Sequence, residues 1–344
     1  MNAAAAGLGR GKFMMPTVSY SLWRTNALLA SVWVPVVEPS SPNAASILHV
    51  FVAVFLICVA VFLIVVTLIC LSVVRFRATK SGLPHQDFGS HRAEVIWTIP
   101  PGVIVLGLGL YSAKLILSIT ALPSMAAPPP GDADLVVVGH QWWWEVRYPF
   151  SGAVTANEIH VPVGRKLRVE LESADVIHSF WVPQLAPKVD MIPGHPNYVW
   201  LEADQEGVYD GACSEFCGDQ HAWMRFIVVG EPEPEYQRWL ARQSQPAPEP
   251  SDALSQSGKQ FFFAQTCVNC HAIGGTRAVA DAAPDLTHLA TRRQLVGGVI
   301  PNTPENLTLW LRNPQLIKPG CKMPNFGLNE DQLKQMTAYL EGLR

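Results

Sequence analysis

A chain of 344 residues has room for two or three domains, and 49% hydrophobic with only 15% charged residues is high for a soluble protein, so part of it is expected in a membrane. The net charge of -3, with no basic run interleaved with aromatics, excludes nucleic acid as a partner. Of the seven cysteines, two lie in apolar segments, four in two short motifs and Cys321 is left over, which implies no disulfide framework.

In chain order, residues 1–45 read as a cleaved signal peptide or an exported N-terminal segment. An apolar patch over 27–37 is broken by Ser31 and Pro35 and preceded by Arg10, Lys12 and Arg24, and Ala44-Ala45-Ser46 supplies a small-residue cleavage context. Residues 46–122 read as two membrane helices. The first run, 47–74, has no Asp, Glu, Lys or Arg and exceeds the ~20 residues that cross hydrocarbon. The second, 95–122, is interrupted only by Pro100-Pro101 and by Lys114, whose side chain can snorkel. Arg75, Arg77, Lys80 and Arg92 lie between them and place the loop in the cytoplasm, so both chain ends face outward.

After a Pro/Gly-rich break at 128–131, residues 131–243 show short runs rich in Val, Ile and aromatics at 135–138, 159–163, 167–171, 198–201 and 226–229. Turn residues separate them, which predicts an all-β antiparallel sandwich or barrel closed by a short helix over 233–243. Between its last two strands lies Cys213-Ser214-Glu215-Phe216-Cys217-Gly218-Asp219-Gln220-His221-Ala222-Trp223-Met224. Two thiols, an imidazole and a thioether are soft ligands, and His178 at an earlier strand end offers a second imidazole. A disulfide or half of a structural zinc site accounts for Cys-x3-Cys alone, and Met224 alone reads as core. The joint pattern favours copper over both. Its donors exceed the needs of one tetrahedral ion, whereas two coppers bridged by both sulfurs use them all, with the carbonyl of Glu215 as a further donor.

A Pro-rich linker at 244–252 opens a further domain, 253–344. Its signature, Cys267-Val268-Asn269-Cys270-His271, is the covalent haem c attachment pattern, with two thiols for the vinyl groups and His271 for the iron. A zinc or redox Cys-x2-Cys is the competing reading. Against it stand the exported location, Pro284-Asp285-Leu286 as a carbonyl partner for His271, and Met323 before Pro324 as the second axial ligand. A terminal helix over 331–343 turns Met336, Tyr339 and Leu340 to one apolar face.

These residues together resemble subunit II of the haem-copper cytochrome c oxidases, in the subgroup with a fused C-terminal cytochrome c domain. The likeness is carried by residues 94–100 (Glu-Val-Ile-Trp-Thr-Ile-Pro), residues 139–144 (Gly-His-Gln-Trp-Trp-Trp), the His178 segment, Lys188-Val189-Asp190 with Pro193-Gly194, and the copper stretch. It implies a two-helix membrane hairpin, a cupredoxin barrel and a class I cytochrome c domain. The implied dinuclear CuA ligands are His178, Cys213, Cys217, His221, Met224 and the Glu215 carbonyl, and the Glu215 carboxylate faces a magnesium ion shared with subunit I. Trp142 matches the position where electrons enter, although Trp143 stands where a tyrosine is usual. Glu94 matches the glutamate at the mouth of a proton path. The likeness further implies subunits I and III as partners, cytochrome c or a quinol-oxidising complex as donor, and a bacterial inner membrane with both redox domains on the periplasmic face. The function so implied is electron input to an oxygen-reducing subunit. The alternatives are the corresponding subunit of a CuA-containing nitric oxide reductase, and a copper-handling membrane protein.

Overall fold

Ser41 begins the described fold by accepting a hydrogen bond from the Ala44 N–H (3.0 Å) and so capping helix α1, Pro42–Arg75, in a computed structural model that describes residues 35–77, 89–120 and 133–344. Residues 1–34, Lys80 and the break at 128–131 lie outside the described residues. Helix α1 has 34 residues. At ~1.5 Å per residue it is about 50 Å long, more than the ~30 Å of a hydrocarbon core. Helix α2, His91–Thr120, has Glu94 in its first turn and carries Pro100 and Pro101 within it. Both helices expose apolar side chains along their length, as membrane spans do.

The boundary expected after residue 45 falls inside α1. Ser40 and Ser41, just ahead of the helix, are built into the β domain: Ser40 N–H donates to Gln184 O (2.8 Å) and Ser41 Oγ to Leu185 O (2.6 Å). Cleavage at Ala44-Ala45-Ser46 would cut a continuous helix and these anchors.

The β domain is a sandwich of two five-stranded sheets. The first has the order β3 (Ala153–Ala156), β2 (Trp143–Tyr148), β1 (Leu135–His140), β5 (Leu167–Ser173), β8 (Asn197–Leu201). The second has the order β4 (Glu158–Pro162), β10 (Arg225–Glu231), β9 (Gly207–Cys213), β6 (His178–Val182), β7 (Ala186–Met191). The expected antiparallel arrangement is corrected to a mixed one, because β1 pairs with β5, and β4 with β10, in parallel. The chain leaves the first sheet after β3, forms β4 in the second and returns for β5 running the same way as β1. Between the sheets Trp144, Phe180 and Phe226 are fully buried, with ring centroids 4.9 Å apart for Trp144–Phe226 and 4.8 Å for Phe180–Phe226. Helix α3, Glu233–Gln243, closes one end with Tyr236 and Trp239 buried.

The C-terminal domain packs α4 (Ala253–Ala264) across α7 (Glu330–Glu341), with the shorter α5 (Pro304–Arg312) and α6 (Pro314–Ile317) alongside. Asp252 caps α4 and an Asn329–Gln332 capping box starts α7. The crossing is close because Gly258 lacks a Cβ, which would collide with the Gln335 carbonyl. Met336, Tyr339 and Leu340 are buried from α7, as the periodicity predicts. The Pro-rich segment is not a free spacer: Ala247 N–H donates to Gly274 O (3.0 Å) and Gln245 O bonds His288 Nε2 (2.9 Å).

Candidate metal centre

Strand β6 begins at His178, β9 ends at Cys213, and the loop to β10 carries the remaining donors. The loop is held by backbone bonds within itself and to β6. Cys213 N–H donates to Met224 O (3.0 Å), Ser214 N–H to Ser179 O (3.0 Å) and His221 N–H to Gly218 O (3.0 Å). These bonds bring together every donor expected from the sequence. The two sulfurs are 3.8 Å apart, Cys213 Sγ is 3.9 Å from His178 Nδ1, Cys217 Sγ is 3.6 Å from His221 Nδ1 and 3.8 Å from Met224 Sδ, and Cys213 Sγ lies 3.2 Å from the Glu215 carbonyl. With metal–sulfur and metal–nitrogen bonds of about 2.3 and 2.0 Å, donors on a shared ion stand about 3.5 Å apart. The cluster therefore fits metal without rearrangement. His178, Cys213, Cys217 and Met224 are buried.

The two thiols do not titrate independently. The contact with Cys217, aided by His178, lowers the pKa of Cys213, and the same contact raises that of Cys217. The pair gives up one proton readily and holds the other until a cation displaces it. Orientation of the imidazole comes from Asp175, whose Oδ1 lies 2.8 Å from His178 Nε2 and so leaves Nδ1 aimed at sulfur. Gly139 makes the room, since a Cβ there would stand 2.7 Å from the His178 ring. Only the three-residue spacing to His178 marks Asp175 in the sequence.

Trp142 is half-buried beside the cluster, and its Nε1–H donates to the Cys217 carbonyl (2.9 Å); Gln141 Nε2 donates to the same oxygen (2.8 Å). Both residues, with Trp143 and Asn157, also line a cavity whose remaining walls belong to the C-terminal domain and include Cys267, Cys270, His271 and Met323. His271 Nδ1 lies 2.7 Å from Pro284 O, the partner expected from Pro284-Asp285-Leu286. Burial lowers the pKa of His271 and keeps the ring neutral, so with Nδ1–H engaged its Nε2 is the free donor. An apolar cavity with two thiols, a neutral imidazole and a thioether on its walls fits covalent haem. Phe262, Leu286 and Trp310 are among its apolar lining. Met336 also lines the cavity, but from within the core on α7, where it is 2% exposed. Glu94 lies apart on α2, exposed, with His91 Nδ1 at 3.9 Å. Glu215 and Phe216 are exposed next to the metal cluster, and Phe216 is 76% exposed with its ring against His221 (5.8 Å).

A membrane hairpin, a cupredoxin-like sandwich with a thiolate–imidazole–thioether cluster and a helical domain with a haem attachment motif define a membrane-anchored electron carrier with two redox sites. Residues 32–115 match the transmembrane domain of cytochrome c oxidase subunit II, residues 150–231 its periplasmic domain, and residues 255–344 the cytochrome c family. Cytochrome c oxidase subunit 2 of Alkalihalophilus pseudofirmus is 35% identical over 281 residues, covering 80% of each chain. That of Bacillus sp. strain PS3 is 33% identical over 285 residues, covering 78% of this chain and 79% of the relative. The crystal structure of the periplasmic domain of subunit II of cytochrome oxidase of Bradyrhizobium japonicum is 32% identical, covering 34% of this chain and 96% of that one at a TM-score of 0.32. The chain belongs to the cytochrome c oxidase subunit II family, with a cytochrome c domain at its C-terminus. It is the electron-input subunit of an oxidase anchored in a membrane, with haem and copper as its cofactors; the nitric oxide reductase and copper-handling alternatives are set aside.

Proposed function

We propose that Cys213 and Cys217 bridge two copper ions completed by His178, His221, Met224 and the Glu215 carbonyl, and that Cys267 and Cys270 bind haem c with His271 and Met323 as axial ligands. When bound, these groups supply one-electron oxidation and reduction at two fixed points. The observation that carries the reading is the double role of Trp142 and Gln141. Both face the haem-domain cavity and both donate to the Cys217 carbonyl, so a chain of packed and hydrogen-bonded atoms joins the cavity to a copper ligand. The buried ligands and their backbone bonds keep the donor set rigid, which favours transfer with little rearrangement.

The exposed Glu215 and Phe216 turn toward the oxygen-reducing subunit I, where the Glu215 carboxylate shares a magnesium ion, and subunit III completes the assembly. Arg75, Arg77 and Arg92 hold the inter-helix loop on the cytoplasmic side of a bacterial inner membrane. The redox domains then stand on the periplasmic face and receive electrons from a soluble cytochrome c or a quinol-oxidising complex. Glu94, at the cytoplasmic start of α2, serves the mouth of a proton path. Its substitution Glu94→Gln keeps the hydrogen bonding, removes the titrating proton and slows turnover without altering copper or haem content.

The deciding experiment is Cys217→Ser in the assembled oxidase. The haem should stay reducible while its reoxidation by oxygen slows by orders of magnitude. Reoxidation at the wild-type rate would reject the route.

A further inference from the structure

The C-terminal domain is seated on the β domain by a small number of polar contacts, and one is of an unusual kind. Lys318 is only 4% exposed, and its ammonium lies between the domains with main-chain carbonyls as partners: Trp142 O at 3.0 Å, Trp223 O at 3.1 Å and Val296 O at 3.5 Å. An ammonium has three N–H donors, and here each meets a carbonyl. Two of the carbonyls come from the β domain, one from Trp142 and the other from the residue before Met224. The third comes from a loop shaped to supply it. Val296, Gly297 and Gly298 all take positive φ (61°, 72° and 78°), a conformation a β-branched residue rarely adopts, and a Cβ on Gly297 would stand 3.1 Å from Lys318 Nζ. Burial lowers the Lys318 pKa to about 8, so the group is charged at neutral pH.

Other contacts ring this one. Gly297 O accepts from Arg225 N–H (3.1 Å), Glu158 Oε2 accepts from Arg293 N–H (2.8 Å), and Gln220 Nε2 donates to Pro319 O. Lys322 reaches Gln141 Oε1 (3.3 Å) and Asp175 Oδ2 (3.8 Å) but is 61% exposed. Exposed pairs of this kind contribute little, whereas a buried charge deprived of its partners, or partners deprived of the charge, costs far more.

We infer that Lys318 is the positioning residue that seats the haem domain on the copper domain, fixing the haem cavity over Trp142 through carbonyls from both sides. The inference rests on the proposed haem-to-copper route for its functional meaning. Its test reads docking separately. The β-domain amide of Arg225 and the haem-domain amide of Arg293 donate across the interface, so hydrogen exchange at these two positions reports undocking, while amides in α4 and α7 report the fold of the haem domain itself.

In the purified oxidase loaded with copper and haem, Lys318→Met should speed exchange at Arg225 and Arg293 by about tenfold or more, with α4 and α7 as protected as in the wild type. Lys322→Gln should change the same two amides by no more than about threefold. Lys318→Gln retains an N–H donor for the carbonyls and should produce a smaller rise than Lys318→Met. If Lys318→Met leaves the two amides unchanged, deprotects α4 and α7 together with them, or has no greater effect than Lys322→Gln, the assignment is overturned. If the amides open as expected but haem-to-copper transfer keeps its rate, the seat stands and the proposed route fails instead.

Discussion

Trp142 and Cys217, 75 positions apart in the chain, are joined by a hydrogen bond of 2.9 Å from the indole Nε1–H to the main-chain carbonyl. The indole thus touches the backbone of a proposed copper-bridging residue on one side and the cavity of the haem domain on the other. Trp142→Phe keeps an aromatic ring but deletes this bond, worth about 0.5–1.5 kcal/mol of local order. We expect haem-to-copper transfer to slow by about tenfold, with copper content unchanged. Flash-induced reduction of the haem followed by absorbance at both centres measures it, and an unaltered rate removes Trp142 from the route.

Asp175 holds His178 from behind, and groups in that role commonly alter metal affinity by 10–100-fold. Asp175→Asn keeps an acceptor for the Gln141 N–H yet loses the negative charge opposite the ring. Copper should leave this variant at a chelator concentration about tenfold lower than it leaves the wild type. Equal retention would make Asp175 a surface residue that happens to meet a histidine.

Met323 lines the haem cavity together with His271. A thioether raises the iron potential relative to a second imidazole, so Met323→His should lower the midpoint by on the order of 100 mV. A redox titration of the haem band decides it. A potential that does not move excludes Met323 as the axial ligand.

His160 gives a pH dependence with a defined sign. It is buried in β4 with Glu158 Oε1 at 2.9 Å and Glu231 Oε1 at 2.6 Å, and Trp239 stacks on its ring at 3.9 Å. Burial alone lowers its pKa, but the two carboxylates outweigh that and raise it above 6.5. A raised folded-state pKa stabilises fully below the unfolded value of about 6.5 and is lost as pH climbs through the folded value. The difference in melting temperature between wild type and His160→Asn should therefore be largest below pH ~6.5 and shrink above it. A difference that grows with pH contradicts the charge state assigned to the ring.

Much of the donor cluster was legible because four of its side chains fall within a dozen residues, where spacing alone restricts what they can share. His178 was legible from its donor type and its place at a strand end. Asp175 was not, since a carboxylate three residues from a histidine in an exposed turn looks like any solvated acid. The mixed sheets were hidden for another reason: strand runs and turns do not record that the chain visits the second sheet between β3 and β5. Lys318 carries no local signal either. A lysine before Pro-Gly reads as a surface residue, and its burial arises only when carbonyls from Trp142 and Trp223, distant in sequence, close over it. The Pro-rich segment has the composition of a free tether and becomes a packed strap because Gln245 and Ala247 find partners on the domain that follows.

The central claim is that one cluster of donors holds two coppers sharing electrons through two sulfurs. It is tested most directly by metal analysis combined with electron paramagnetic resonance of the purified oxidase, comparing wild type with Cys217→Ser. The account predicts two coppers per chain beyond those of the partner subunit. In the oxidised wild type they should show one unpaired electron spread over both nuclei, and Cys217→Ser should abolish that signal while the haem spectrum persists. A single copper, a zinc ion in its place, or a spin localised on one nucleus in the wild type would contradict it.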